Sequence, residues 1–382
     1  MSQPLRMHAP APASPWGDPP WRIDFVPPPS NFPDETDIAV IGAGFTGLAA
    51  ATWLRRSDPV ESVVVLEASR IGAGASGRTG GIVLTETAAG DAPGLGDVLA
   101  GLQDILKKLE VESDLSLPGV WEVGRSGSKK RESPIEWSDS GKVVVVGEYP
   151  GGTLDPGKLV SGLGRAASRL GARIFEESPV RSVEWEDSAV LKLDRGILRA
   201  KKVLFATNAL SLELAGFNDD AEPHLTLAVA TQPLREEHLE AIGMADRKPF
   251  YTVDLPYLWG RVCADNSIVF GSGLISAPES RDLRNVSLAS RESARLLHSL
   301  EARVRGLHPT LKNMQFTHRW GGPILFRESW FPVFDWHPKN RNAIVLGAYA
   351  GHGVALSSYL GAWAAEALLG RRDLPRWGSM QQ

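Results

Sequence analysis

The first long apolar segment of the chain changes its period at a glycine-rich turn. Residues 37–41 are an apolar run, a G-x-G-x-x-G turn follows at Gly42, Gly44 and Gly47, and a helical pattern continues to about Arg56. The stretch SVVVLEA is a second apolar run without polar interruptions, as is typical of parallel strands. Strand, helix and strand within about thirty residues predict the βαβ unit with which dinucleotide-binding folds begin.

Strand and helix patterns return in the middle and at the end of the chain. LDPGKLVSGLGRAASRLGARIF predicts a helix of about 15 residues before a strand, and KKVLFATNAL predicts another buried strand. NAIVLGAYAGHGVALSSYLGAWAAEALLG predicts strand, glycine turn and helix, while LGDVLAGLQDILKKLEVE and SLASRESARLLHSLEARVRGLHP predict helices. Between them, GVWEVGR, IEWSD and KVVVVGEY within residues 119–149 predict short strands, and residues 224–275 alternate as strands do. This order predicts two interleaved domains rather than two in tandem.

Composition and charge narrow the class of protein. The 382 residues are 43% hydrophobic and 23% charged, with a net charge of −4 from interspersed charges of both signs. This is ordinary globular composition in a chain too long for one simple core, and without a basic block nucleic acid is not an expected partner. The single cysteine, Cys263, allows no intrachain disulfide and no cysteine-based zinc cluster. It suits a reducing, cytoplasmic location, and no metal site is expected.

Neither the most apolar segment nor the N-terminal stretch indicates a membrane span or an export signal. The most apolar long run, Ile38 to Leu54, is broken by glycines and is better explained as strand, turn and helix than as a membrane span. The N-terminal stretch MSQPLRMHAPAPASPWGDPP has no apolar core, so we do not expect a signal peptide. Its prolines and alanines predict an extended arm that becomes ordered where Trp16 or Trp21 finds a packing partner.

The surroundings of the G-x-G-x-x-G turn favour a dinucleotide site over a structural turn. Glu67 ends the second strand about twenty residues after the motif, where its carboxylate can accept hydrogen bonds from a ribose. An NAD enzyme continues the βαβ alternation directly, whereas this chain inserts GAGASGRTGG and reserves YAGHGVAL for its last helix. Two extra glycine turns favour the longer FAD, because the last helix can direct its positive end at the flavin's N1–C2=O edge. An NAD-dependent dehydrogenase is the alternative.

Motifs along almost the whole chain resemble one family of flavoproteins. DIAVIGAGFTGLAAATWL and VVVLEASRIGAGASGRTGG resemble the start of the D-amino-acid oxidase-like (DAO) FAD oxidoreductases, and within them the γ-glutamylputrescine oxidase-like branch. That branch also has a tryptophan-containing N-terminal arm, which SPWGDPPW matches. Further similar stretches follow in the same order: GGTLDPGKLVSGLGRAASRLGARIFEESPV, LFATNAL, QPL, IVFGSG, WGGP and GHGVALSSYLGAWAAEALLG.

The resemblance implies non-covalently bound FAD, a large antiparallel sheet above the flavin, and oxidation of a carbon–nitrogen bond. The fold class is then α/β and α+β, with a Rossmann-like FAD-binding domain of the glutathione-reductase type interleaved with an antiparallel-sheet substrate domain. We expect an N-terminal arm at residues 1–32, the FAD-binding domain at 33–110, 150–222 and 338–382, and the substrate-binding domain at 111–149 and 223–337.

The resemblance also implies a set of cofactor-binding residues. Gly42, Gly44 and Gly47 are expected to hold the pyrophosphate and Glu67 the adenosine ribose, while the Val180 backbone bonds the adenine. Ala75, Ser76, Gly77 and Arg78 belong to the loop along the ribityl chain and flavin, and Gly351, His352, Gly353 and Val354 to the flavin's pyrimidine edge. The same motifs contribute Ala43, Phe45, Thr46, Ala68, Ser69, Arg70, Gly74, Ala206, Thr207 and Ala355.

Some positions depart from the family pattern. Thr79 and Ile82 stand where the branch usually has asparagine and glutamine, which affects substrate contact or loop polarity rather than FAD binding. Ala355 replaces the lysine that grips the substrate carboxylate in sarcosine oxidase-like relatives, which favours an amine or a larger amino-acid derivative. Cys263 comes too early to be the cysteine that links FAD in some members, and a small buried residue is the simpler interpretation.

The expected catalytic residues are His352, Trp320, Tyr257 and Trp259. With Tyr251, the last three form either an aromatic box beside the flavin or ordinary core, since the chain has 12 tryptophans. Arg261 and Arg319 are interpreted as facing solvent, and His318 as a structural histidine.

The expected chemistry is hydride transfer from the carbon beside a neutral amine nitrogen to flavin N5, giving an imine that water hydrolyses. The expected partners are a small amine or amino-acid substrate and O2, which would yield H2O2. A quinone or carrier protein as acceptor, or a protein that only binds FAD, are alternatives. The oligomeric state is not predicted.

Overall fold

The computed structural model describes residues 14–124, 131–132, 144–217, 221–253 and 257–379. Within these ranges the helices are α1 (Phe45–Ser57), α2 (Val98–Leu109), α3 (Pro156–Arg169), α4 (Leu212–Ala215), α5 (Glu236–Ala241), α6 (Arg291–Leu307) and α7 (Gly353–Leu368). The strands are β1 (Glu35–Ile41), β2 (Val63–Leu66), β3 (Ile82–Leu84), β4 (Val120–Gly124), β5 (Arg131–Glu132), β6 (Val144–Tyr149), β7 (Gly151–Thr153), β8 (Arg173–Phe175), β9 (Val180–Trp185), β10 (Ala189–Leu193), β11 (Gly196–Phe205), β12 (Ala221–Thr231), β13 (Phe250–Thr252), β14 (Trp259–Val262), β15 (Ile268–Ser276), β16 (Phe316–Arg327), β17 (Val333–His337) and β18 (Asn340–Gly347). The strand predicted at IEWSD lies outside the described residues.

The first sheet contains the predicted βαβ unit at its centre. Strand β1 pairs in parallel with β2 and β11, β8 extends the sheet beside β2, and β18 extends it beside β11. Successive side chains of β1 enter opposite cores, with Ile38 and Val40 on one face and Ala39 and Ile41 on the other. Both faces are therefore covered, which explains why the strand pattern shows no polar alternation.

Helix α3 illustrates how local sequence sets an element's start. Asp155 caps its N-terminus by accepting a hydrogen bond from the Lys158 backbone N–H, and Pro156 occupies the first helical turn. The helix has 14 residues and leads into β8, as the sequence predicts. It packs against α1, which in turn packs against α7.

The second sheet is mostly antiparallel, in the order β16-β12-β15-β14-β13-β4-β6-β5 in the described part of the chain. Along β12, Leu225, Leu227 and Val229 enter the core that α6 also joins. Thr226 and Ala228, the residues between them, line a cavity on the opposite face. The predicted alternation across residues 224–275 therefore holds in the strands, although α5 interrupts it.

The two sheets alternate along the chain, as interleaved domains require. The first sheet takes β1, β2, β8 to β11, β17 and β18, and the second takes β4 to β6 and β12 to β16. Strand β17 pairs with β18, so residues 333–337 belong to the first sheet by pairing although the sequence assigns them to the substrate domain. The described part of the arm contains no helix, and it extends from a bridge with β16 to a contact with α3.

Helix α7 is apolar on nearly all sides because other elements surround it. It packs against α1, α2, β3 and β18, and nearly all of its 16 residues are buried. No helix in the described ranges is long and apolar enough to cross a membrane.

Candidate cofactor and active site

One large cavity is bounded by the carboxyl ends of the parallel strands and by one face of the antiparallel sheet. Its volume is about 1220 Å³, which exceeds the roughly 300–1,000 Å³ of ordinary small-ligand sites. Open α/β sheets bind ligands in the crevice outside their strands' carboxyl ends. The size and place of the cavity therefore suit a dinucleotide together with a substrate.

Most of the expected cofactor residues line this cavity. They are Gly42, Ala43, Gly44, Phe45, Thr46, Glu67, Ala68, Gly74, Ala75, Ser76, Arg78, Val180, Ala206, Thr207, Gly351, His352, Gly353 and Val354. Gly47, Ser69, Arg70, Gly77 and Ala355 do not line it. The structure thus brings together residues from five separate parts of the sequence.

Each of the three glycines in the turn after β1 occupies its position for a different structural reason. Gly42 has a φ of +105° and faces the Ala206 carbonyl, so an L side chain would be strained there. A Cβ at Gly44 would lie 2.6 Å from the Ser76 Oγ. A Cβ at Gly47 would lie under 3.0 Å from the Gly42 oxygen, so Gly47 serves the close packing of α1 on the turn.

The N-terminus of α1 is suited to an anion. Gly44 caps the helix without a side-chain hydrogen bond, and the first turn has no acidic residue. The Phe45 backbone N–H donates to the Ser76 Oγ at 2.8 Å, which joins the helix start to the next loop. The positive end of the helix dipole therefore faces the cavity without an acidic residue in the first turn of the helix itself, which suits a pyrophosphate.

Glu67 lies at the end of β2 with its carboxylate directed at the turn. Its oxygens accept hydrogen bonds from the backbone N–H groups of Ala43 and Ser69, each at 2.9 Å. Burial raises the pKa of Glu67, and these two N–H groups oppose that shift. A carboxylate offers about four acceptor sites, so Glu67 keeps capacity for further donors, as the expected ribose hydroxyls would be.

We expect Glu67→Ala to weaken FAD binding by about 1.5–3 kcal/mol, the range for hydrogen bonds to a charged group. The measurement is a titration of the apoprotein with FAD, alongside thermal unfolding of the apoprotein to separate damage to the turn. Glu112→Ala, which removes an exposed carboxylate away from the cavity wall, is the matched control. An unchanged FAD dissociation constant in Glu67→Ala would contradict the ribose role.

Residues 72–81, named the flavin loop below, form the next part of the wall. Gly74, Ala75, Ser76 and Arg78 line the cavity, whereas a Cβ on Gly77 would meet the Gly72 oxygen. Thr79 and Ile82, the two departures from the branch pattern, also line the cavity. The two departures therefore lie at the cavity wall rather than in a remote part of the chain.

The N-terminus of α7 forms another part of the wall. His352 caps this helix without a side-chain hydrogen bond to it, and no acidic residue occupies the first turn. The turn before it is tightly wound, with left-handed backbone at Ala348, Ala350 and Gly351. Burial lowers the pKa of His352, so its imidazole is neutral at pH 7. This uncapped helix end suits negative charge on a flavin's pyrimidine edge.

A row of residues in register crosses the antiparallel sheet on the cavity side. Strand pairing places Trp320 opposite Ala228, Ala228 opposite Gly271, and Gly271 opposite Trp259. Tyr251 follows beside Trp259. Residues in one row across a sheet point to the same face, and every residue of this row except Gly271 lines the cavity.

Trp259 and Trp320 are fixed by their neighbours. A Cβ on Gly271 or on Gly80 would lie under 3.0 Å from the Trp259 ring, so the indole lies between the sheet and the flavin loop. Trp320 is fully buried, and its Nε1 donates to the Arg78 carbonyl at 2.8 Å. Trp320 therefore belongs to the core and also to the cavity wall. For this residue, ordinary core packing and a place in an aromatic wall are compatible. Tyr257 lines the cavity and is 45% exposed.

The interpretation of Arg261 as solvent-facing is wrong. Its side chain is buried, donates from Nε to the Gly80 carbonyl, and lies over the Trp21 ring at 5.5 Å from the centroid. Trp259 and Arg261 are two residues apart on β14, so both face the flavin loop. In LWGRV, the tryptophan and the arginine are two positions apart, and this spacing is the sequence signal that could have predicted a buried Arg261.

The other polar candidates of the substrate domain lie outside the cavity wall. His318 does not line it, and Arg319 is half-exposed and paired with Glu301. Cys263 is partly buried against a small core cluster that contains Trp320, and burial raises the pKa of its thiol.

Carboxylates that the sequence did not reveal lie near Tyr251. Glu122 stands opposite Tyr251 in the strand pairing and accepts a hydrogen bond from the Tyr149 hydroxyl at 3.1 Å. Burial and then the charges of Asp91 and Glu122 raise the pKa of Glu86. Burial and then the charge of Glu122 raise the pKa of Tyr251. Tyr251 lines the cavity whereas Glu86 and Glu122 do not, so these two carboxylates place negative charge behind that part of the wall. The described residues contain no group of His, Cys, Asp or Glu that could hold a metal ion.

Comparisons with known proteins agree with the geometry. A family model for FAD dependent oxidoreductases (DAO) matches residues 37–367. Gamma-glutamylputrescine oxidoreductase of Escherichia coli (strain K12) is 28% identical, covering 87% of this chain and 84% of the relative.

Solved structures show the same fold. Glycine oxidase from Geobacillus kaustophilus has a TM-score of 0.69 at 17% identity, covering 89% of this chain and 96% of its own. L-proline dehydrogenase from P. horikoshii has a TM-score of 0.71 at 18% identity, covering 91% and 98%. The predicted fold class is confirmed. The chain therefore belongs to the DAO family of FAD dependent oxidoreductases, and FAD, rather than NAD, is its cofactor.

Proposed function

We propose that the protein oxidises a carbon–nitrogen bond of a small amine or amino-acid derivative to an imine, which water then hydrolyses. Bound FAD supplies the oxidation, because its N5 accepts the hydride from the carbon beside the neutral nitrogen. O2 is the proposed electron acceptor, with release of H2O2, and a quinone or carrier protein is the alternative. The single cysteine suits work in a reducing, cytoplasmic compartment.

The observation that carries this proposal is the row across the antiparallel sheet. Trp320, Trp259 and Tyr251 line the cavity with aromatic side chains, and Glu122 follows Tyr251 in the same row, outside the cavity wall. Aromatic faces and nearby carboxylates both attract cations. Such a wall suits an alkyl body with a positively charged end better than a sugar or a hydroxy acid. The likeness to a relative named gamma-glutamylputrescine oxidoreductase supports the same class.

The protein's own groups orient the substrate and set the local charge. The indole of Trp259 cannot move toward the sheet or the flavin loop, because Gly271 and Gly80 lie against it. A fixed wall keeps the reacting carbon in one orientation, which is the main contribution that such a site makes to rate. His352 is neutral at pH 7 because burial lowers its pKa, so it adds no positive charge that would repel an amine.

Position 355 argues against substrates that need a lysine clamp. Ala355 is fully buried and does not line the cavity, so it offers no positive charge to a substrate carboxylate. The family resemblance implies that a lysine at the matching position grips the substrate carboxylate in sarcosine oxidase-like relatives. Sarcosine and glycine should therefore be poor substrates.

We expect primary or secondary alkylamines to bleach the flavin absorbance in the absence of oxygen. Sarcosine and glycine should react roughly 10- to 100-fold more slowly, which corresponds to one lost hydrogen bond between charged groups. The measurement is anaerobic stopped-flow absorbance with polyamine derivatives, N-methyl amino acids and D-amino acids. Dithionite is the control, because it reduces the flavin without using the substrate wall.

Other outcomes of this screen identify the alternatives. Rapid bleaching by sarcosine would overturn the argument from Ala355, and bleaching by hydroxy acids alone would overturn the amine assignment. Reduction by dithionite but by no amine would favour a protein that only binds FAD. Readmission of O2 with assay of H2O2, compared with addition of a quinone, distinguishes an oxidase from a dehydrogenase.

A further inference from the structure

We propose that the N-terminal arm, residues 14–25, is a positioning element of the cofactor site that holds the flavin loop in its binding conformation. The proposal rests on the placement of FAD along that loop and is independent of which substrate is oxidised.

The carbonyl groups of the flavin loop are held by side chains from elsewhere in the chain. Trp21 Nε1 of the arm donates to the Gly77 carbonyl at 2.7 Å. Trp320 Nε1 donates to the Arg78 carbonyl, and Arg261 Nε donates to the Gly80 carbonyl. A turn-rich glycine loop has high conformational entropy when free, so these three bonds restrict it before FAD arrives.

The Arg78 guanidinium is bound to the arm by backbone acceptors. Its Nη1 donates to the Gly17 carbonyl at 2.7 Å and to the Trp16 carbonyl at 3.3 Å. Further bonds reach the carbonyls of Gly321 and Ala73. The side chain is only 9% exposed, and its ion pair with the exposed Asp18 is long at 3.9 Å. Without the arm, a buried cation would lose two acceptors, which is costly.

The arm is itself anchored on both sides of the flavin loop. On one side the Trp16 carbonyl accepts from the Gly321 N–H at 2.7 Å, and Trp16 Nε1 donates to the Val286 carbonyl at 3.0 Å. On the other side the Asp24 N–H donates to Ser161 Oγ of α3 at 2.9 Å. Between these anchors, the Trp21 ring meets Trp320 edge to face at 5.5 Å.

The arm therefore connects β16, the flavin loop and α3. Trp320 lines the cavity on its other side, so the arm supports the wall at which the flavin and the substrate sheet meet. A loop that is ordered beforehand binds its ligand more tightly, because less entropy is lost on binding. The consequence of weakening the arm is a higher FAD dissociation constant, with faster amide exchange in the flavin loop of the apoprotein.

The test compares Trp21→Phe with Trp363→Phe in the whole 382-residue chain. Trp21→Phe keeps a ring against Trp320 and removes the N–H bond to Gly77. Trp363 is the matched control, because its indole donates to the Asp373 carbonyl at 2.8 Å but does not line the cavity. We expect Trp21→Phe to raise the FAD dissociation constant roughly 2- to 10-fold, as for loss of one hydrogen bond. Trp363→Phe should lower the melting temperature and leave FAD affinity unchanged.

Hydrogen–deuterium exchange of the apoprotein gives a second readout. Amides of residues 72–81 should exchange faster in Trp21→Phe than in wild type and no faster in Trp363→Phe. A dissociation constant within twofold of wild type, together with unchanged exchange, would show that the arm only stabilises the fold. Both measurements use FAD or no ligand, so failure of every amine to reduce the flavin would leave their result intact.

Discussion

Replacement of Gly44 by valine is expected to produce a protein without bound FAD. A Cβ at this position would lie 2.6 Å from Ser76 Oγ, the atom that accepts the Phe45 N–H. The branched side chain would push the flavin loop from the start of α1 and fill space beside the helix end that faces the cavity. Overpacking of this kind costs about 1–3 kcal/mol before any lost contact with FAD is added.

The measurement is the flavin absorbance and FAD content of the purified protein, with circular dichroism to establish that it is folded. Gly370→Ala is the matched control, because its Cβ would meet nothing within 4 Å and it lies outside the cavity wall. Its left-handed backbone, with a φ of +72°, strains any L side chain, so this control reports the effect of backbone strain alone and should remain yellow. A yellow Gly44→Val protein with one FAD per chain would show that the turn does not bind the pyrophosphate.

The second large effect is expected at Gly271, which is far from the flavin loop along the sequence. A Cβ there would lie under 3.0 Å from the Trp259 indole, which cannot retreat because Gly80 lies against the same ring. The ring must therefore move into the cavity. Gly271→Ala should lower kcat/KM for the best amine roughly 100-fold, as for a misplacement of about 1 Å in a site. FAD binding should persist.

A double-mutant cycle isolates the cause. In a Trp259→Ala background no indole is present to be displaced, so adding Gly271→Ala should have little further effect on kcat/KM. The flavin spectrum of both variants serves as the control for an intact cofactor site. Wild-type kcat/KM in Gly271→Ala would mean that the indole does not form part of the substrate wall.

The cofactor half of the site could be predicted because its signals are local. One βαβ unit, from Gly42 to Glu67, contains the glycines, the start of the helix and the acidic residue at the end of the second strand. Hydrogen bonds within that unit set their arrangement. Packing still adds what the motif does not state, because Gly47 lies against the Gly42 carbonyl and does not line the cavity. The last helix was recognisable for a similar reason, since strand, turn and helix are continuous in sequence.

The substrate half depended on how distant strands pair. Trp259 and Trp320 reach one row only through Gly271 and Ala228, and a shift of one residue in any of those pairings would turn a side chain to the opposite face. Register is set by the packing of the whole sheet, which no short stretch of sequence contains. Glu122 was missed for this reason, because its neighbour Tyr251 is more than a hundred residues away.

The sequence by itself determined the fold family, FAD and the glycine turns, because each depends on residues that are close along the chain. Only the tertiary structure decided that Arg261 is buried, since a guanidinium on a strand is exposed or enclosed according to what packs on that face. It also decided the place of the arm, whose Trp21 reaches Gly77 across 56 positions. Side-chain bonds to backbone carbonyls leave no pattern in sequence, because every residue offers the same acceptor.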